Sequence, residues 1–389
     1  MAVSITDHPP GASPFVLGLM GGGGTGPELI DAIIPCLDAV ERLHGVKFER
    51  VRFDDEAWMD ATETERMDEG LLAAMTDFYG MIQGRGGAIL RGAVSAPVLY
   101  RVRERFEQHF KVNPIDGIPE LAELTRFSAE SLDGLHFLMV RENTTGAFHT
   151  EGEDTPTGAA MRIEHHRVDV ERLARFSFRL APPGGSVALA MAPRKMGRVG
   201  ALWQDVFEEV ARARPELRYR VMYPNLEKIG QFVRTRRNAG KPLGLFDVPL
   251  NAFDVIVGPE FSMDWLMDDV GWAIQGEPFL GCSGNFSPGG FSSYQTVHGT
   301  VIPAKGKGIA NPIGMVHAVA MYLRHSCGLS DAASALERAV RGALASGLRT
   351  FDIHRGDPRY ELVGTRAMVS RIVECLSAEV ARSRRAADA

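Results

Sequence analysis

The sequence predicts an α/β protein of about two domains, built on a largely parallel sheet. Two observations carry this. Short apolar runs alternate with segments of helical period along the whole chain, and the connections between them are mostly short and glycine-rich. A chain of 389 residues, 45% hydrophobic and 24% charged, has the length for about two domains and a large core, which leaves out collagenous, disordered and supercharged classes. The net charge of -6 argues against a general nucleic-acid binder. Cys36, Cys282, Cys327 and Cys375 lie far apart with no CxxC spacing, so structural thiols in a reducing compartment are expected rather than disulfides or zinc ligands. The opening MAVSITDHPPGASP has no basic leader, and no apolar run reaches about 18 residues, so a cytoplasmic protein without a membrane partner is expected.

In chain order, FVLGLM at 15–20 reads as a buried strand and GGGGTG at 21–26 as a tight loop. Pro27 then opens a segment of helical spacing that Pro35 interrupts and Gly45 stops. The glycines match a GxGxxG dinucleotide fingerprint, but a glycine-rich loop matches it cheaply and no acidic residue stands at the right distance. A loop whose glycines let backbone approach a neighbouring strand or a ligand explains the same residues. Residues 80–94 alternate apolar runs with glycine, and 99–113 (LYRVRERFEQHFKVN) read as a helix carrying Arg101, Arg103 and Arg105. A strand at 137–140 ends in RENTTGAFHTEGED, where Arg141 has the reach to bind a carboxylate bidentately or to pair with Glu142 or another neighbouring acid. A helix at 168–180, a strand at 186–191 and a helix at 202–213 follow. The basic RTRRNAGKP at 234–242 has no period and reads as part of a long loop.

The stretch FDVIVGPEFSMDWLMDD, 253–269, is a short strand, a Gly-Pro break and a helix bearing Asp264 and Asp268 one turn apart. Both carboxylates then project from one helix face and suit a divalent cation, or simply form a solvated acidic surface. Farther on, VHGTVIPAKGKGIANPIGMVHAVAMYL at 297–323 gives a segment closing at His298, a flexible loop, and an apolar helix opened by Pro312 and capped near Asn311. Free amides there suit a nucleotide phosphate, although a capped helix after a loop needs no ligand.

These motifs together resemble the isocitrate/isopropylmalate dehydrogenase family of metal-dependent β-decarboxylating dehydrogenases. RENTTG at 141–146, FDVIV with the Asp264/Asp268 pair, and VHGT followed by KGIANP at 307–312 are its most specific marks; GTGPE at 24–28 and GAVSAP at 92–97 add to them. The resemblance implies a two-domain α/β fold with parallel and mixed sheets flanked by helices, distinct from the Rossmann fold. Residues 1–108 plus 275–389 would form the cofactor domain and 109–274 the substrate and dimerisation domain, with the active site in the cleft of a homodimer. It implies NAD or NADP, Mg2+ or Mn2+, and a small hydroxy acid. Arg103, Asn113 and Arg141 fall at substrate positions, Asp264 and Asp268 at metal positions, and His298, Gly299, Thr300 and Asn311 on the adenosine side of the cofactor.

The departures are as specific. The second substrate arginine of the family is Asn113 here, before Pro114, and the tyrosine expected to protonate the enolate is Phe148. A partner-supplied aspartate falls on Gly240, the acid that reads the NAD ribose falls on Pro303, and Pro259-Glu260 replaces the usual Glu-Asn. The catalytic lysine falls near Ala192, with Lys195 the nearest candidate. Two expectations follow. The chain is an enzyme acting on an unusual malate-like acid, with Lys195, His149 or water supplying the proton and RTRRNAGK gripping a phosphate or phosphonate. Alternatively, it is a catalytically silent homologue of the regulatory-subunit kind. RNA binding by the basic loop is the weaker explanation of a short basic segment in an acidic chain.

Overall fold

The computed structural model describes residues 12–64, 66, 68–94, 96–125, 127–222, 253–277 and 280–387. RTRRNAGKP and Gly240 therefore lie outside the described residues. The chain divides into two compact units, one running to Val102 and resuming at Gly276, the other Arg103–Gln275.

In the first unit, β1 (Phe15–Met20) pairs in parallel with β2 (Phe48–Phe53) and with β3 (Ala88–Arg91). Its apolar run is buried on both faces, as expected of a strand covered by helices. The following helical segment is two helices, Gly26–Ala32 and Ile34–His44, broken at Ile33 next to Pro35 and closed by Gly45 in the left-handed region. The glycine loop between β1 and the first helix is packed by backbone. A Cβ on Gly22 would meet the Ala93 carbonyl oxygen at 2.2 Å, and one on Gly24 the Thr300 oxygen at 1.6 Å. Thr25 N donates to that Thr300 oxygen at 2.9 Å. The loop thus serves close approach of its neighbours, and the Rossmann fingerprint is a coincidence of composition.

The second unit carries the strands that matter most here. β4 (Phe110–Asp116) runs antiparallel to β5 (His136–Glu142). An exposed hairpin, β6 (Glu153–Thr155) and β7 (Gly158–Ala160), stands apart from the sheet. β8 (Ser186–Ala190), β9 (Arg218–Met222) and β10 (Val255–Gly258) complete a parallel order β5-β10-β8-β9. On one face of this sheet lies the helix Glu260–Gln275, called here the aspartate helix. Met263, Leu266, Met267, Val270 and Ile274 recur at helical spacing and pack on Phe137, Met139, Ala188, Ala190 and Ile256. The helix Arg167–Leu180 covers the opposite face of β4, where Phe176 stacks on Phe110 with centroids 3.9 Å apart. Back in the first unit, β11 (Cys282–Phe286) and β12 (Ser292–Thr296) form an antiparallel pair, and β12 runs parallel to β3.

One expected element is corrected. Residues 99–113 are not a single helix: the helix Ala96–Arg105 ends, Glu107 takes a left-handed φ of 51°, and Phe110 begins β4. Asn113 precedes Pro114, and a residue before proline is pushed toward extended backbone. Gln108 N donates to the Arg103 carbonyl at 2.8 Å and closes the turn. Of the three arginines read on this segment, only Arg103 is buried; Arg101 is exposed and pairs with Glu69.

All four cysteines are free thiols, three of them buried. Among the described residues no helix is long and apolar enough to cross a membrane.

Candidate active site

Strand alternation builds the site. Along β5, Phe137, Met139 and Arg141 point to one face; the opposite partners on β4 are Ile115, Asn113 and Lys111. Phe137, Met139 and Ile115 are core, Asn113 adds one buried amide opposite Met139, and at the carboxyl end of β5 the row turns cationic. Lys111 stands directly across from Arg141, and both are buried. β10 and β8 run parallel to β5, so Gly258 and the residues after Ala190 end at the same edge, the usual place for a ligand in such sheets.

Asp264, in the first half of the aspartate helix, meets this row. Its Oδ1 pairs with the Arg141 guanidinium and stands 3.7 Å from Lys111 Nζ. Burial, with Arg141 beside it, pushes the Lys111 ammonium down to about 7, against the pull of Asp264. Asp268 lies one turn on, open to solvent on one side; desolvation holds its carboxyl above the ordinary carboxylate range, opposed by the charge of Lys111. Arg103 is also buried, and its positive charge adds to that of Arg141 at Lys111. Asn113, 3% exposed, has an amide oxygen with no hydrogen-bond partner among the described residues.

The RENTTG loop holds this arrangement. Glu142 does not pair with Arg141; its carboxylate accepts from Thr144 N at 3.0 Å and Thr145 N at 2.6 Å. Asn143 Oδ1 accepts from Arg141 Nη2 at 3.3 Å, and its Nδ2 donates to the Gln108 carbonyl at 2.9 Å, which ties the loop to the turn before β4. Gly146 has φ 91°, and a Cβ there would lie 2.1 Å from the Glu260 carboxylate. That carboxylate accepts from Ala147 N at 2.5 Å. Phe148 sits with its ring centroid 5.8 Å from the Arg141 guanidinium carbon, a cation–π contact. His149 Nε2 is 3.0 Å from the Asn143 carbonyl, and burial lowers the pKa of the ring, opposed by the charge of Glu142.

The residues expected on the cofactor side, His298, Gly299, Thr300 and Asn311, belong to the other unit. His298, Gly299 and Thr300 lie on the loop after β12, which touches the glycine loop through Thr25 N and Thr300 O. A side chain on Gly299 would meet nothing within 4 Å, so this loop has room for a ligand. His298 Nδ1 is 2.7 Å from the Gly299 carbonyl, and burial lowers the pKa of the ring. Its part is hydrogen bonding rather than charge. Asn311 is used differently: its Oδ1 accepts from Ile313 N at 3.0 Å, capping the helix Ile313–His325, and its Nδ2 donates to Asp352 at 2.8 Å. The loop His298–Thr300 is open at Gly299, whereas the Asn311 amide is spent on the fold.

A family model described as Isocitrate/isopropylmalate dehydrogenase matches residues 16–372. The chain belongs to that family. Its curated relatives include 3-isopropylmalate dehydrogenase of Syntrophotalea carbinolica, 29% identical over 92% of this chain and 97% of the relative. The Bacillus subtilis 3-isopropylmalate dehydrogenase is 27% identical over 93% of this chain and 97% of its own length. A crystal structure of isocitrate dehydrogenase from Methylococcus capsulatus superposes with a TM-score of 0.74 at 23% identity, covering 93% of this chain and 99% of that one. The α/β fold is therefore shared with isocitrate dehydrogenase. Family members are NAD(P)-dependent β-decarboxylating dehydrogenases that typically use a divalent metal.

Against that background the metal positions of this family member stand out. Asp264 is already engaged by Arg141 and faces Lys111, and among the described residues no three His, Cys, Asp or Glu side chains converge. A hard divalent cation takes six or more oxygen ligands and rejects cationic neighbours. The donor set at Asp264 and Asp268 does not fit one. Arg103, Asn113, Arg141, Asp264 and Asp268 all belong to the same unit. Lys195 stands exposed on the short turn Pro193–Lys195 after β8. Lys111 was missed by sequence reasoning because β4 was read as helix. The signal that finds it is the proline at 114, which argues for extended backbone and so puts Lys111 in register with Arg141.

Proposed function

We propose that this protein oxidises a malate-like 2-hydroxy acid with NAD or NADP, followed by β-decarboxylation. The observation that carries the reading is the buried cationic pair Lys111 and Arg141 at the carboxyl end of β5, with the buried Arg103 near enough to act on Lys111. Lys111 and Arg141, both buried, share the Asp264 carboxylate, and a dicarboxylate ligand would repay the burial of the remaining charge.

In this reading Arg141 and Arg103 hold the two carboxylates. Asn113 turns its free amide oxygen to the substrate hydroxyl. Phe148 walls the Arg141 side against water, and Gly146 lets Glu260 close behind it. Lys195, on the turn after β8, takes the hydroxyl proton, which requires its neutral amine form. A bound dinucleotide would supply the hydride acceptor through its nicotinamide, and His298, Gly299 and Thr300 would hold its adenosine half. Residues 1–108 plus 275–389 are then the cofactor domain and 109–274 the substrate and dimerisation domain of a cytoplasmic homodimer.

Purified protein incubated with NAD+ or NADP+ and a panel of 3-substituted malates tests this. The expected result is formation of reduced nicotinamide with at least one acid, abolished in Arg141→Ala. Absence of turnover across the panel would overturn the reading and favour the second one, a catalytically silent or regulatory homologue. That alternative is supported by Phe148, which has no proton to give where the family has tyrosine.

A further inference from the structure

We propose that the Lys111 side chain stands in for the divalent cation, so that this chain binds its hydroxy acid, and stabilises the enolate formed from it, without a metal ion. The inference rests on the hydroxy-acid reading above and deepens it.

Three observations lead here. First, Lys111 is buried on the row that faces the aspartate helix, with Nζ 3.7 Å from Asp264 and Arg141 directly across the strand pair. Second, the charges already present oppose a further cation. Asp264 and Asp268 are two carboxylates facing Lys111, Arg141 and Arg103; a further double positive charge would sit beside buried cations in a medium of low dielectric. Third, Asn113 lies two residues along the same face of β4, about 7 Å from Lys111 by strand geometry, and its buried amide oxygen has no hydrogen-bond partner among the described residues. A lysine donor and an amide acceptor at that separation bracket a group that both donates and accepts, which a substrate hydroxyl does.

The chemistry balances. An ammonium offers three N–H donors, so one Nζ can bridge the C2 oxygen and the adjacent carboxylate, as a chelated cation does. After oxidation the bond from C3 to its carboxylate breaks, carbon dioxide leaves, and the electron pair moves through C2 onto the carbonyl oxygen. Lys111 donates to that oxygen as its charge grows. C3 then takes its proton from water.

Mn2+ binding to the full chain, stripped with chelator and followed by the loss of the free-ion paramagnetic signal, tests the proposal without any turnover assay. Wild type is expected to show no saturable Mn2+ binding at millimolar concentration, with or without malate, and Lys111→Gln to gain at least tenfold in Mn2+ affinity. One Mn2+ bound per wild-type chain and lost in Asp264→Asn would overturn it, as would a folded Lys111→Gln that gains nothing. The wild-type measurement needs no variant to fold. Malate binding by calorimetry, run separately, judges the hydroxy-acid reading: an acid that never binds sinks that reading, while the Mn2+ comparison still decides the role of Lys111.

Discussion

Lys111 and Arg141 face each other across an antiparallel strand pair, and both meet the carboxylate of Asp264. Two like charges on neighbouring strands repel, and here one aspartate bridges them. This arrangement separates the chain from a metal-chelating site built on the same helix.

Replacing Lys111 by methionine should therefore stabilise the free protein while costing it its ligand. The change removes a buried cation that repels Arg141 and keeps the Arg141–Asp264 pair. Thermal or urea unfolding should show a gain of about 1–2 kcal/mol, with malate affinity reduced at least tenfold by calorimetry. A loss of stability would show that the ammonium is already compensated without ligand.

Arg141→Lys should weaken dicarboxylate binding by about 10- to 100-fold, since a lysine offers a point charge where the planar guanidinium binds two oxygens and also packs on Phe148. Calorimetry with malate reads this directly, and an unchanged dissociation constant would remove Arg141 from the substrate site.

Gly146→Ala should cost about 1–3 kcal/mol, because the residue has positive φ and the new Cβ would collide with the Glu260 carboxylate. Denaturant titration checks it; a neutral result would mean the Ala147–Glu260 contact is not maintained in solution.

The fold and the motif residues were largely legible, and the reason is local. RENTTG, FDVIV and VHGT each lie where a strand meets a loop, so their residues are contiguous and their partners near. Lys111 was not legible for the opposite reason. Phe106 and Phe110 stand four apart, as on a helix, so FEQHFKV imitates helical period; in fact the two phenylalanines lie on either side of the left-handed turn at Glu107. Its partner Arg141 comes from a strand thirty positions on, and only register brings them together. A cap at or near Asn311 is expected from the sequence; Pro312 is the N-cap residue, and Asn311 before it accepts from Ile313 N, while its other partner, Asp352, is distant in sequence.

Restoring Phe148→Tyr should raise the decarboxylation rate about 10- to 100-fold if proton delivery to the enolate limits turnover. Carbon dioxide release measured against nicotinamide reduction separates the two steps. An unchanged ratio would mean that water already supplies the proton.

The pH profile of stability should carry the signature of His325, buried at the end of the helix Ile313–His325. Burial holds its ring pKa down to about 3, below the 6.5 of an unfolded chain. The unfolded state therefore binds more protons between these values, and stability falls as pH drops from about 6.5 toward 3. His325→Leu should flatten that part of the curve; an identical slope would show that other groups govern acid unfolding.

The most direct test of the central claim is a calorimetric titration of the purified protein with NAD+ and then NADP+, each in the presence of malate. Saturable binding of one nucleotide at micromolar concentration, weakened in Arg141→Ala through loss of the bound acid, is the result expected of a working dehydrogenase. A folded protein that binds neither nucleotide would contradict the account and leave a silent homologue of the family.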